Sequence, residues 1–201
     1  MLAFVAPRLV LLSVPKTGTT ALESALAARA QLVMRARPEI KHLTLRQYGQ
    51  HVAPLLDTIP GKPFRTIAVV REPVSWLGSW YRYRARPQAA GSPNSTAALD
   101  FERFVQDYLA ADRPRHARLG RQSGFLTPAP GKPPVDLLFQ YEQLDRLVAF
   151  LSDALDTAIE LPVVNVSPAR DLSLSDRTAA RLHAALAEDY VLWESAGRPG
   201  P

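Results

Sequence analysis

Lysine, glycine and three threonines crowd into one short stretch, Pro15-Lys16-Thr17-Gly18-Thr19-Thr20. A lysine charge, a glycine that lets backbone come close and several hydroxyls together suit an oxyanion cradle. The stretch follows the apolar run Leu9-Val10-Leu11-Leu12-Ser13-Val14 and precedes an alanine-rich helical pattern. It therefore reads as a buried strand, a tight loop and a helix N-terminus, where backbone N–H groups lack partners and favour negative charge. This segment predicts a phosphate or sulfate site. It does not follow the triphosphate-binding pattern G-x-x-x-x-G-K-[ST], because Lys16 precedes the only glycine.

A second candidate is Val69-Val70-Arg71-Glu72-Pro73, with Ser79 eight residues after Arg71. It ends another apolar run. Ligands of open α/β sheets bind beyond the C-terminal ends of the strands, so Arg71 is expected to face the same crevice as Lys16. Ser79, a little over two helical turns on, could add a hydroxyl to the phosphate that Arg71 holds. The competing reading is a surface ion pair between Arg71 and Glu72, with Ser79 in solvent.

The elements that must position these residues follow from the apolar pattern. Strands are expected at 8–14, 64–70 and 135–140, with a short one at 31–34. Helices are expected at about 19–30, 44–56, 74–84 and 99–109, then from Leu144. A final helix is capped by Ser175 and buries Leu182, Leu186, Tyr190 and Trp193. Segments 87–96 and 124–134, rich in Pro and Gly, read as loops beside the site. Alternating strands and helices predict an α/β fold, a three-layer α/β/α arrangement around a central, mostly parallel sheet. One domain over 1–201 is expected, fraying at about 197–201.

Composition narrows the chemistry. Hydrophobic residues make up 47% and charged ones 21% of the 201 residues, a balance suited to a packed core. Twenty-four Lys and Arg against 19 Asp and Glu leave a net charge of +5, which suits an anionic ligand. The absence of cysteine removes disulfides, thiolate nucleophiles and cysteine metal sites, and no metal-ligand cluster is evident. Basic residues occur without a nucleic-acid-binding module, so no nucleic-acid partner is expected. The apolar start, Met1 to Val14, lacks the basic flank and cleavage pattern of a leader. With no apolar run long enough for a membrane span, a cytoplasmic location is expected.

Together the two motifs resemble the sulfotransferase superfamily, in its bacterial and glycan-type branches. Pro15 to Thr20 is similar to that family's 5′-phosphosulfate loop, and Arg71 with Ser79 is similar to its 3′-phosphate motif. Tyr141-Glu142-Gln143-Leu144 and Asn165-Val166-Ser167 resemble later segments. The resemblance implies a P-loop NTPase-like sulfotransferase fold and the donor 3′-phosphoadenosine 5′-phosphosulfate (PAPS). It implies sulfuryl transfer to an acceptor hydroxyl, such as that of a glycan or another small molecule, without a metal. Lys16 would stabilise the leaving 5′-phosphate, amides from Thr17 to Thr20 would hold it, and Arg71 and Ser79 would bind the 3′-phosphate. By analogy with phosphoryl transfer, positioning and electrostatics should dominate the catalysis.

A hydroxyl acceptor needs a general base, a role the family gives to histidine or glutamate. His42, in Glu39-Ile40-Lys41-His42, is the first candidate, since an ordinary imidazole titrates near neutrality. Glu39 is its rival, with Glu23 and His51 behind. Arg118, Arg121 and Gln122, in a basic stretch with Arg113 and Arg115, are the acceptor-side candidates; a solvated basic face is the alternative. Trp76, Trp80 and Tyr81 could stack on an adenine, although helical spacing places at least two of them in the core. Two other functional classes stay open: a P-loop kinase-like enzyme, and an anion-binding scaffold without turnover. Oligomeric state and acceptor identity are not legible.

Overall fold

The computed structural model describes residues 1–164 and 168–197. Asn165-Val166-Ser167 and residues 198–201 of the expected tail lie outside them. Gly197 itself packs closely, since a Cβ there would stand 2.8 Å from the Gln140 amide.

The apolar N-terminal run makes two strands rather than one. β1 (Leu2–Phe4) and β2 (Leu9–Leu11) flank a turn in which Arg8 N–H donates to the Val5 carbonyl. Arg8 takes a left-handed φ of +56°. Its guanidinium lies 4.0 Å over the Phe64 ring and donates to the carbonyls of Lys62 and Ile59. The chain continues through α1 (Thr19–Leu26), β3 (Leu32–Val33), α2 (Pro38–Lys41), α3 (Leu45–His51), α4 (Ala53–Leu56), β4 (Arg65–Val70) and α5 (Pro73–Arg84). Then come α6 (Phe101–Leu109), α7 (Gln122–Leu126), β5 (Leu137–Gln140), α8 (Leu144–Ala154), α9 (Asp176–Ala185) and α10 (Ala187–Ala196).

The strand order is β3-β1-β2-β4-β5. β1 pairs antiparallel with both β2 and β3, while β2–β4 and β4–β5 are parallel. The sheet is therefore mixed, which corrects the expectation of a central, mostly parallel sheet of P-loop NTPase-like type. The reason is local. A parallel neighbour needs a crossover of a dozen or so residues, whereas residues 5–8 allow only a hairpin. The expected strand at 8–14 overlooked Leu2–Phe4, whose direction is reversed.

Strand residues alternate between two buried faces. Val10, Leu12, Ala68 and Val70 pack with Tyr48, Val52, Leu56 and Leu126. Leu9, Leu11, Ile67 and Val69 pack with Leu22 and Leu26 of α1 and Leu147 and Leu151 of α8. A third cluster joins α5, α6 and α9 through Trp76, Tyr81, Phe104, Tyr108 and Leu182. The final helix divides at Leu186: α9 packs on α6, while α10 crosses to β5 and α7. Among the described residues no helix is long and apolar enough to cross a membrane.

The parallel registers matter most for the site. Leu11 stands opposite Ile67, and Val70 opposite Gln140. The chain segments leaving β2, β4 and β5 therefore emerge at the same end of the sheet. They carry Lys16, Arg71 and Tyr141.

Candidate functional site

The loop after β2 is locked from below. Thr17 is fully buried, and its hydroxyl donates to the Val14 carbonyl at 2.9 Å. Trp76 of α5 donates its indole N–H to the Pro15 carbonyl at 2.9 Å. Lys16 takes φ +68° and Gly18 φ +77°. A non-glycine residue in that region costs about 1–3 kcal/mol, and such costs gather at functional sites. Gly18 precedes α1 without a side-chain cap; Ala21 and Leu22 donate to its carbonyl, which leaves the amides of Thr19 and Thr20 for another acceptor. A Cβ on Gly18 would stand 3.2 Å from the Tyr141 ring. Gly18→Ala is accordingly expected to lose about 1–2 kcal/mol of stability from the left-handed backbone, read by thermal unfolding, and to weaken anion binding by displacing Tyr141.

An open pocket of about 750 Å³ lies over this loop. Its polar wall comprises Lys16, Thr19, Thr20, Lys41, His42, Arg71 and Ser79, and its aromatic wall Trp80, Tyr83 and Tyr141. Leu144 and residues 161–164 close an apolar side. Among the described residues no carboxylate lines it. Of the three aromatic candidates on α5, Trp76 and Tyr81 are core residues and only Trp80 reaches the pocket.

Lys16 holds its ammonium 4.0 Å over the Tyr83 ring and 5.5 Å from that of Trp80. Burial, with repulsion from Arg86 and Arg71, lowers its pKa to about 8. Arg71 is fixed at every level. Gln122 accepts from its backbone N–H at 2.8 Å and donates to its carbonyl at 2.7 Å. Arg71 Nε donates to Ser75 Oγ at 2.9 Å, Nη1 reaches the Lys16 carbonyl at 3.4 Å, and the guanidinium lies 4.3 Å over the Tyr141 ring. The Arg71–Glu72 ion pair considered as an alternative does not form among the described residues. Glu72 instead caps α5, accepting from the N–H groups of Val74 and Ser75.

His42 enters the pocket from the segment after α2. Its Nδ1 lies 2.6 Å from the Ser13 carbonyl. A carbonyl only accepts, so Nδ1 bears the hydrogen and Nε2 of the neutral ring keeps a lone pair. Burial leads a net lowering of its pKa; Lys41 and the Met1 amine push the same way, against the Ser13 bond and Glu23. A neutral, oriented imidazole is a competent proton acceptor near neutral pH.

The structure thus brings Pro15, Lys16, Gly18, Thr19, Thr20, His42, Arg71 and Ser79 into one pocket. Glu39 is exposed on α2 and outside the lining. Arg118 is exposed and bonded to the Arg113 carbonyl, and Arg121 is exposed at the start of α7; neither lines the pocket. Gln122, 1% exposed, serves as the clamp on the Arg71 backbone rather than as a surface contact. Ser75 and Lys41 were missed by sequence reasoning. The Arg71-to-Ser75 spacing of one helical turn carried a usable signal; Lys41 had none beyond standing next to His42. Among the described residues no group of His, Asp or Glu is placed to hold a metal ion.

Comparison with known proteins found no match, whether to a family model, a curated protein or a solved structure. The resemblance to sulfotransferases therefore rests on the residues of the two motifs.

Proposed function

We propose that the chain is a PAPS-dependent sulfotransferase acting in the cytoplasm on an acceptor hydroxyl. One observation carries the reading: two separate anion anchors, Lys16 with the α1 start and Arg71 with Ser79, face a single pocket lined by no carboxylate among the described residues. A nucleoside with phosphates at both its 5′ and 3′ ends needs two such anchors. The glycine cradle also fits close approach of an anion, since a side chain at Gly18 would meet Tyr141. A kinase-like reading would need a carboxylate for magnesium, and the described lining offers none.

When bound, PAPS supplies the sulfuryl group. The chain's own residues hold and orient. Lys16 and the α1 amides neutralise charge at the 5′ end. The Arg71 fork takes the multi-oxygen 3′-phosphate. Tyr141 and Trp80 offer flat faces to the nucleoside, and His42 Nε2 receives the acceptor's proton.

Titration calorimetry with 3′-phosphoadenosine 5′-phosphate (PAP) and with ATP tests this. PAP is expected to bind about 10–100-fold more tightly, the worth of one charge-assisted contact set. Its affinity should fall as pH rises through about 8, where Lys16 of the free protein loses its proton. Equal affinities, with no dependence on the 3′-phosphate, would sink the reading.

A further inference from the structure

Glu23 lies on α1 outside the pocket lining, and its side chain is only 8% exposed. Its Oε2 pairs with Lys41 Nζ at 2.5 Å. Its Oε1 is buried and has no hydrogen-bond partner among the described residues. A buried carboxylate oxygen left bare is costly, and such an arrangement persists where something else depends on it. Beside it is a small cleft with room of about 10 Å³, lined by Glu23, Ser13 and Thr19 together with Leu2, Leu11 and Leu22. That is about the space one water occupies, and the walls offer the polar partners a buried water needs.

Lys41, the partner of Glu23, is the residue before His42. Ser13, in the wall of the cleft, is the residue whose carbonyl holds His42 Nδ1. Its hydroxyl in turn accepts from the Met1 amine at 2.8 Å, and the same amine donates to the Lys41 carbonyl. The segment carrying the imidazole is thus tied to α1 through the Lys41–Glu23 pair and to the residues after β2 through the Met1 amine and Ser13.

We propose that Glu23 is a positioning residue for His42: it clamps Lys41 onto α1, reaches Thr19 through one water in the adjoining cleft, and so fixes the imidazole relative to the anion cradle. The role in turnover rests on the sulfotransferase reading; the clamp itself does not. The groups facing His42 are Lys41, the Met1 amine and Glu23. Glu23 is the one carboxylate among them and favours the charged ring, so removing its charge should make the imidazole harder to protonate.

The test uses the full chain with labelled histidine and the variants E23Q, K41M and E23Q/K41M. By NMR titration, His42 in E23Q is expected to protonate at lower pH than in the wild type and to lose its single Nδ1–H tautomer. Turnover should fall about 100-fold in kcat, as for a small misplacement of a reacting group, with PAP affinity unchanged. E23Q leaves Lys41 an unpaired buried charge and should unfold earlier. The double variant removes that charge and should regain thermal stability while kcat stays low. A wild-type His42 titration in E23Q, or wild-type turnover in the double variant, would overturn the clamp. If the wild type binds no PAP, the sulfotransferase reading falls while the His42 titration still decides the role of Glu23.

Discussion

Arg71→Ala is expected to weaken PAP binding by about 100-fold and to leave adenosine 5′-phosphosulfate, which lacks the 3′-phosphate, almost unaffected. The size follows from losing a charge-assisted, two-pronged contact of about 1.5–3 kcal/mol. The selectivity follows from how Arg71 is built in. Gln122 grips its main chain, and those bonds survive truncation of the side chain. The loop below keeps its own locks in Thr17 and Trp76. The fold should therefore persist, and only the anchor beyond β4 should be lost. Arg71→Lys keeps the charge but not the planar fork, so it should fall between wild type and alanine. Calorimetry with the two ligands checks this. Equal losses for both would mean that Arg71 supports the pocket as a whole rather than reading a 3′-phosphate.

His42→Ala should lower kcat by about 10²–10⁴-fold, the usual worth of a positioned general base, with PAP affinity kept. Its pH behaviour gives an independent check. Burial places the His42 pKa below the ordinary imidazole value. Turnover should therefore be flat through neutral pH, where the ring is neutral, and fall on the acid side as Nε2 takes up a proton. In His42→Ala that acid limb should vanish. Steady-state rates across the acid and neutral range, on an acceptor the wild type turns over, decide the matter. An unchanged limb or wild-type turnover would remove His42 from the role.

How much of this was readable beforehand differs between the parts. The strand–loop–helix junction at Lys16 was legible because it is local: Lys16, Gly18 and the threonines stand in sequence, and β2 and α1 flank them by plain apolar patterning. Arg71 and Ser79 were legible because β4 is a long buried strand with a clear end. The reversed β1 was not, since a short apolar segment before Arg8 looks the same whether it extends a strand or turns back beside it. What distinguishes the two is the left-handed Arg8 and its anchoring on Phe64 and Ile59, contacts made across the fold. The arginines around 113–121 stand apart from the pocket: Arg113 donates to the Leu119 carbonyl and Arg118 to that of Arg113, local bonds that hold this segment to itself. Glutamine at 122 carried no sign that its amide would meet a strand end far away in the chain. Likewise, nothing near Leu186 announces the break between α9 and α10. That break is set by what each half packs against.

The grip on Arg71 has a consequence for when the pocket comes into being. Gln122 is itself held by Asp189 of α10, which is 2% exposed and accepts from the N–H groups of Gln122 and Ser123 and from the Ser123 hydroxyl. From the same helix Trp193 donates to Glu142, whose other oxygen accepts from the Glu72 N–H. No residue of α10 lines the pocket, yet the posture of Arg71 depends on it. A chain emerging from the ribosome makes the Lys16 loop first, and domains form as their parts become available. Arg71, by contrast, stays unsupported until residue 189 has been synthesised and α10 has folded back over β4 and β5. The nascent protein would hold the Lys16 side of the pocket early and gain the Arg71 side only once α10 has emerged.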